Sequence, residues 1–203
     1  MRGMSMASRS RFASALLSAV VTMVGLSCEH PEADTPPIGI AASALEVEID
    51  DCAGLQAMRE DLGGAYRLIA DVDCTGFDFG DGYGFHPIGE EGDPGPFTGS
   101  FDGDGHLITG ITIARPELSR VGLFGAAEGA LIQRVGVVGA LVEGAWSTGA
   151  LVGAAMDTTV RESFATGVVS GEVDVGALVG GQYEGGLVAD SYAAAAVTGQ
   201  GDY

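Results

Sequence analysis

An internal repeat of about 27 residues restricts the fold of this chain more than any other feature. The segment Val-Gly-Leu-Phe-Gly at 121–125 recurs as Thr-Gly-Ala-Leu-Val-Gly at 148–153 and as Val-Gly-Ala-Leu-Val-Gly at 175–180. Its first glycines lie 27 residues apart, and a second set of apolar residues recurs alongside with a spacing of 28. That second set is Ile132, Val160 and Val188. A fixed period of roughly 20–50 residues is typical of solenoids and other repeat architectures.

A coil of this length has room for a short strand on each of about three sides, joined by turns. Stacked coils pair each strand with its copy about 4.8 Å away, so similar residues form ladders. Glycines at both edges of each unit are expected at corners that need a positive φ. We expect Leu123, Leu151 and Leu178 in one ladder and Phe124, Val152 and Val179 in the next. The predicted repeat core is Gly122, Leu123, Gly125, Gly149, Leu151, Gly153, Gly176, Leu178 and Gly180.

The segment 46–96 is predicted to form a small N-terminal α/β cap before the repeats at 97–203. Asp50 or Asp51 is suited to begin a helix, because a carboxylate there accepts hydrogen bonds from free backbone N–H groups. Leu55 and Met58 then lie three residues apart, on one helix face.

A strand and a long loop complete the predicted cap. Tyr66 and Leu68 alternate with polar neighbours, which is typical of a half-buried strand. The loop at 77–99 is rich in Gly, Pro and Asp, and we expect it to run over the surface, because buried irregular backbone would leave polar groups unpaired.

The N-terminus has the features of an export signal. Basic residues precede an apolar run at 12–26, which is shorter than the ~20 residues that a membrane-spanning helix needs. We therefore expect a signal peptide at 1–27 and a flexible, Pro-rich tether at 28–45. The leader resembles that of bacterial lipoproteins, which implies lipid attachment at Cys28 and location at the outer membrane or cell surface. Without the lipid the chain would be secreted.

Two cysteines remain once Cys28 is assigned to lipid. In an oxidising compartment, Cys52 and Cys74 are expected to form a disulfide that links the start of the helix to the end of the strand. Two buried free thiols are the alternative.

Composition restricts the class of partner. The chain from Cys28 onward has six basic and 28 acidic residues, a formal net charge of −22, and it has no Lys. Such a surface repels phosphate backbones, so nucleic acid is not an expected partner. Contact with a membrane is expected only through the lipid anchor, and the ligand is an unknown extracellular one, either a glycan or a surface protein.

Two sets of acidic residues are candidate calcium sites, since carboxylates at alternating positions bind calcium. Asp102 and Asp104 are the stronger pair, and a tight turn at 102–105 is the alternative explanation. The second set is Asp71, Asp73, Asp78 and Asp81. No other cofactor and no other metal is expected.

Catalytic motifs are absent from the sequence. The histidines His30, His86 and His106 form no zinc-binding spacing, there is no Gly-x-Ser-x-Gly motif, and a phosphate loop is impossible without Lys. No catalytic residue is therefore predicted. Parallel β-helices also include polysaccharide lyases and hydrolases, so a carbohydrate-active enzyme stays as an alternative.

The repeats resemble the GLUG family, named for its Gly-Leu-any-Gly core. The segment 97–106 resembles the lead into such repeats, and the cap is similar too, so that the resemblance covers about residues 46–203. It implies an all-β, right-handed parallel β-helix with coils of about 27 residues, in exported bacterial surface proteins. A further glycine unit would begin near position 203, and we expect the chain to be a piece of a longer array.

These features favour a non-catalytic, exported adhesion or binding module that presents a solenoid face. The first alternative is a structural spacer, or a passenger for a downstream domain. The second alternative is the carbohydrate-active enzyme.

Overall fold

The computed structural model describes residues 45–201. The predicted signal peptide, the lipidation site Cys28 and nearly all of the predicted tether lie outside these residues. The helices are α1 (Cys52–Ala57) and the 3₁₀ turn η1 (Met58–Glu60). The strands are β1 (Val47–Ile49), β2 (Ala65–Leu68), β3 (Val72–Asp73), β4 (Ser100–Asp102), β5 (Leu107–Thr109), β6 (Thr112–Ala114), β7 (Phe124–Glu128), β8 (Leu131–Gln133), β9 (Gly136–Glu143), β10 (Trp146–Gly149), β11 (Val152–Met156), β12 (Thr159–Arg161), β13 (Phe164–Gly171), β14 (Val173–Gly176), β15 (Val179–Tyr183), β16 (Leu187–Ala189) and β17 (Tyr192–Gly199).

These strands stack in parallel into sheets that run along the coil axis. The first sheet has the order β1-β2-β4-β8-β12-β16, and the second has the order β17-β13-β9-β5-β3 with β6 beside β9. The third is β15-β11-β7, and the fourth is the pair β10-β14. The chain is therefore a parallel β-solenoid of about four turns, as predicted.

The ladders follow the predicted register. Val160 pairs with Ile132 on one side and with Val188 on the other, so the coil is 28 residues long at this point. In the fourth sheet Gly149 pairs with Gly176, a spacing of 27. The third sheet contains the predicted ladder of Phe124, Val152 and Val179.

The structure corrects the reason for the repeat-core glycines. None of the six predicted at the edges of the units has a positive φ. A Cβ atom on Gly122 would lie 2.6 Å from the carbonyl oxygen of Gly149, and a Cβ atom on Gly180 would lie 2.5 Å from the backbone nitrogen of Thr148. Glycine is needed here because neighbouring segments of backbone touch and leave no room for a side chain.

Residues other than glycine occupy two recurring corners of the coil. Arg120, Ser147 and Asp174 have φ values of 60°, 54° and 53° and are spaced by 27 residues. The second corner is formed in the same way by Arg134, Glu162 and Asp190. A left-handed residue with a side chain costs about 1 kcal/mol or more, which the stacking of the coils must offset.

The long loop does not run wholly over the surface, contrary to the prediction. Phe85, Ile88 and Phe97 are fully buried. Ile88 bridges to Phe124 in parallel, and its backbone N–H donates to the carbonyl oxygen of Leu123 at 2.9 Å. The loop thus follows the path of a coil, and its backbone groups are paired with the coil beside it, so burial leaves them satisfied.

The cap is continuous with the solenoid, because β1 and β2 belong to the first sheet. Asp51 caps α1 by accepting a hydrogen bond from the N–H of Gly54 at 2.7 Å. Cys52 and Cys74 form the predicted disulfide, with Cα atoms 5.3 Å apart. Within residues 45–201 no helix is long and apolar enough to span a membrane.

The close contacts at the repeat glycines predict a large effect of one methyl group. Gly149→Ala should lower the free energy of unfolding by about 1–3 kcal/mol, the usual cost of overpacking. The added Cβ would overlap the carbonyl oxygen of Val152 and lie 2.6 Å from the nitrogen of Gly180. Urea denaturation measures the change.

Gly63→Ala is the matched control, because its nearest neighbours would lie 3.8 Å from the new Cβ. We expect a change of less than about 0.5 kcal/mol there. Equal effects of the two substitutions would contradict the close-contact explanation.

Candidate interaction surface

Asp102 and Asp104, the predicted calcium ligands, lie in a tight turn beside a cation. Asp104 has a φ of 48° and Gly105 one of 84°, as the turn alternative requires. Asp102 accepts hydrogen bonds from Arg134 and from the side-chain amide of Gln133 at 2.7 Å, and Arg134 also lies 3.0 Å from Asp104. No cluster of three or more metal-type ligands occurs within residues 45–201. Calcium binding stays a prediction.

The charge of Asp102 is stabilised by its partners. Burial by itself would raise its pKa, but hydrogen bonds from Arg134, from the backbone N–H of Asp104 and from Gln133 outweigh it. The pKa of Asp102 therefore lies below the ordinary value of 3.8. The carboxylate and Arg134 thus form an ion pair at the surface of the first sheet.

The second acidic set holds loop backbone in place. Asp78 accepts hydrogen bonds from the backbone N–H groups of Gly80, Gly82 and Gly84 at 2.9–3.2 Å. Asp71 accepts one from the N–H of Leu107 at 2.9 Å. Asp73 and Asp81 accept hydrogen bonds from the backbone N–H groups of Thr75 and Tyr83.

Polar side chains on the outer side of the first sheet are paired along the coil axis. Arg67 lies 3.0 Å from Glu48, Gln133 donates to Asp102 at 2.7 Å, and Arg161 donates to Gln133 at 2.8 Å. This side of the solenoid is thus a ladder of charges that largely neutralise one another.

The outer side of the second sheet differs, because most of it carries no charge. Along β9 and β13 the side chains alternate, so that Val142 and Val169 are buried whereas Leu141 and Val168 are 52% and 44% exposed. We define the uncharged face by the outward residues of three ladders. They are Leu107, Gly136, Phe164 and Tyr192; Thr109 and Val138, with Thr166 and Ala194 beyond a shift of register; and Thr112, Leu141, Val168 and Ala196.

Charged residues border the uncharged face on more than one side. Asp104, Arg134 and Glu162 line a cavity beside Phe164. Glu143 lies in the ladder beside Leu141, opposite Ser170, and Asp73 lies on β3 next to Thr109. Between these borders the face spans four coils.

An aromatic stack lies along one side of the uncharged face. The rings of Phe164 and Tyr192 are parallel, with an interplanar angle of 2° and centroids 5.0 Å apart. Phe164 covers Gly136, where a Cβ atom would lie 2.5 Å from a ring carbon. Tyr192 is 61% exposed. Stacked aromatic pairs contribute about 0.5–1.5 kcal/mol beyond their buried area, so the stack helps to keep this side of the face rigid.

The cavities at the uncharged face are small. One of about 170 Å³ lies between Leu141 and Glu143, and another of about 260 Å³ lies beside Gly136 and Phe164. Small-molecule sites usually have volumes of about 300–1,000 Å³. The shape of this face therefore suits a macromolecule better than a small ligand.

A cleft of about 290 Å³ lies at the long loop, between Tyr83 and Leu118. Two of its charged side chains form ion pairs, although the Nε atom of Arg115 is buried without a hydrogen-bond partner. Arg115 lies 2.8 Å from Asp81, and His86 lies 3.2 Å from Glu90. Burial, with Arg115 and Arg59 nearby, lowers the pKa of His86 and favours its neutral form.

Sequence reasoning found the core ladders but missed the uncharged face. The signal was present, because residues 136–142, 164–171 and 192–199 contain no charged residue in a chain whose net charge is −19. It becomes visible only once the register shows that these segments lie side by side.

The fold and this face define the class of the protein as a parallel β-solenoid with an uncharged face. Part of the chain is similar to halomucin of Haloquadratum walsbyi, with 36% identity over 155 residues. It is also similar to a "Putative Gly-rich membrane protein" of Evansella cellulosilytica, with 35% identity over 102 residues.

The similar segments are 72% and 48% of this chain but only 2% and 12% of those two relatives. The chain thus corresponds to a small part of the length of each. No family model matches the chain. No solved structure matches it either.

The Asp102 ion pair predicts a pH-dependent effect. Because its pKa is lowered by folding, the charge of Asp102 stabilises the protein above about pH 4, and this contribution is lost as the pH falls through the folded-state pKa. Asp102→Asn should therefore lower the thermal midpoint at neutral pH, and change it little at a pH where the native carboxyl is protonated as well.

Arg134 is partly exposed, so the effect at neutral pH should not exceed about 1 kcal/mol. Glu128→Gln is the control, because Glu128 has no ion pair within residues 45–201. Calorimetric melts at several pH values measure both variants. An effect of Asp102→Asn that did not change with pH would contradict the ion-pair account.

Proposed function

We propose that this chain is a non-catalytic, exported surface protein that binds an extracellular macromolecule through its uncharged face. The observation that carries the proposal is the contrast between this face and the rest of the molecule. The chain has 28 acidic residues, yet three adjacent ladders over four coils expose none. Contiguous exposed apolar surface of this kind typically marks an interaction site.

The solenoid supports the proposal because it keeps the face rigid. Residues on β9 and β13 are fixed by strand pairing on both sides, so little conformational entropy is lost when a partner binds there. Leu141 and Val168 are large apolar side chains of this face, 52% and 44% exposed, that a partner can cover.

The named relatives support an exterior location. One is described as a membrane protein, and both are far longer than this chain. The GLUG-like repeats and the N-terminal leader favour the same location. We propose that the chain is exported and held at the membrane by lipid on Cys28.

A structural spacer is the second candidate function. The small share of each relative that this chain matches favours it, because a long array would separate other domains from the membrane. A spacer needs no ligand, so it predicts that substitutions on the uncharged face change no binding. The carbohydrate-active enzyme has less support, because the arginine and histidine that line the cleft at the long loop lie in ion pairs with Asp81 and Glu90.

Binding tests the main proposal directly. The exported chain should bind at least one member of a panel of cell-wall glycans, extracellular matrix proteins and whole cells. Leu141→Asp should weaken that binding at least tenfold, because it places a charge on the apolar face. Surface plasmon resonance measures the affinity.

Leu187→Asp is the matched control, since Leu187 is 53% exposed, like Leu141, but lies on the first sheet. The control should leave the affinity unchanged. No binding to any member of the panel, or equal losses in both variants, would contradict the binding of a glycan, a matrix protein or a cell by this face.

The proposed lipid anchor at Cys28 can be tested separately. Cys28→Ser should abolish incorporation of radiolabelled palmitate and release the protein from the membrane fraction into the medium, because the thiol is the attachment point for lipid. An unchanged membrane fraction would contradict the lipid anchor and leave the export proposal standing.

A further inference from the structure

Electrostatics restricts how two copies of this chain can approach each other. With a formal net charge of −19, like charges repel over most of the surface. The outer side of the first sheet carries Glu48, Asp102 and Arg161, which would lose water or meet like charges in a contact between copies. The uncharged face avoids both costs.

The uncharged face has the shape for sheet-on-sheet contact. Its side chains are short at many positions, with Gly136, Ala194 and Ala196 beside the larger Leu141 and Val168. Large and small residues in alternation let two such faces interdigitate, as they do in β-sandwiches, where sheets pack about 10 Å apart. The shallow groove between Leu141 and Glu143 offers room for a side chain from the opposite sheet.

The area of the uncharged face determines how tightly two copies of the chain are expected to bind each other. Four strands spaced about 4.8 Å apart, with about five or six residues of the face on each at about 3.3 Å per residue, cover roughly 350 Å² per copy. Two copies would bury roughly 700 Å² in total, which is the size of a weak, transient contact. A pair formed in this way should therefore be weak and reversible.

We propose that the partner of the uncharged face is the same face of a second copy of this chain. The inference rests on the proposed function, since it names the partner of that binding surface. A two-fold axis relates the copies, so that each contributes Leu141 and Val168 to the contact. Glu143 lies at the rim and stays in water. Copies anchored at a surface would then associate side by side or between surfaces.

Salt dependence distinguishes this contact from an ionic one. When salt rises from about 0.01 M to about 1 M, the Debye length falls from about 30 Å to about 3 Å. Screening removes the repulsion between the acidic remainders of the two copies, and the apolar contact itself does not weaken. Association should therefore become stronger as salt is added.

Sedimentation equilibrium tests the proposal on the exported chain carrying Cys28→Ser, which removes the lipid attachment point and leaves every described residue unchanged. We expect a monomer–dimer equilibrium whose dissociation constant falls at least tenfold between low and high salt. Adding Leu141→Asp should raise the dissociation constant at least tenfold. Adding Leu187→Asp instead should leave it unchanged. Circular dichroism confirms that each variant is folded, and Val168→Asp replaces Leu141→Asp if that variant does not fold.

A monomer at all salt concentrations would overturn the proposal. A dimer whose dissociation constant is unchanged by Leu141→Asp, or rises with salt, would overturn it as well. The panel experiment separates this failure from that of the proposed function. A monomer whose binding to a glycan or to another protein depends on Leu141 would overturn the homotypic pairing alone. A dimer that depends on Leu141, with no binding to the panel, would support homotypic pairing.

Discussion

The close approach of backbone to backbone at the repeat glycines is the constraint on which the rest of this structure depends. At Gly122, Gly149 and Gly180 the space of a single methyl group is already taken by the chain segment beside it. Because these contacts recur once per coil, they fix the height and rotation of each coil relative to the one before it. The strand ladders, the buried core and the outward faces then follow from that geometry.

The fixed register of the strands places the uncharged residues of successive coils on one surface. Since strand side chains alternate with a period of two, a slip of one residue would turn Leu141 inward and Val142 outward along the same strand. With the register fixed, the segments without charge in successive coils lie side by side. Each segment contributes only a few uncharged residues, but together the segments form a continuous uncharged face in an acidic protein.

Much of the fold could be predicted from the sequence, because periodicity directly reports stacked coils. The ladder of Ile132, Val160 and Val188 and the disulfide between Cys52 and Cys74 are confirmed. The role of the repeat glycines and the path of the long loop could not be predicted in this way. Both depend on contacts between segments far apart in the chain, such as Ile88 beside Phe124, which local composition does not encode. The uncharged face was missed for the same reason.

Thiol accessibility measures the central claim, that coil register places the uncharged face outward, most directly. Single variants Leu141→Cys, Val142→Cys, Val168→Cys and Val169→Cys would be labelled with a maleimide under native conditions and compared with the parent chain. The account predicts fast labelling at 141 and 168, whose native side chains are 52% and 44% exposed, and protection at 142 and 169, where 3% and 0% are exposed. Equal labelling at all four positions, or the reverse order, would contradict it.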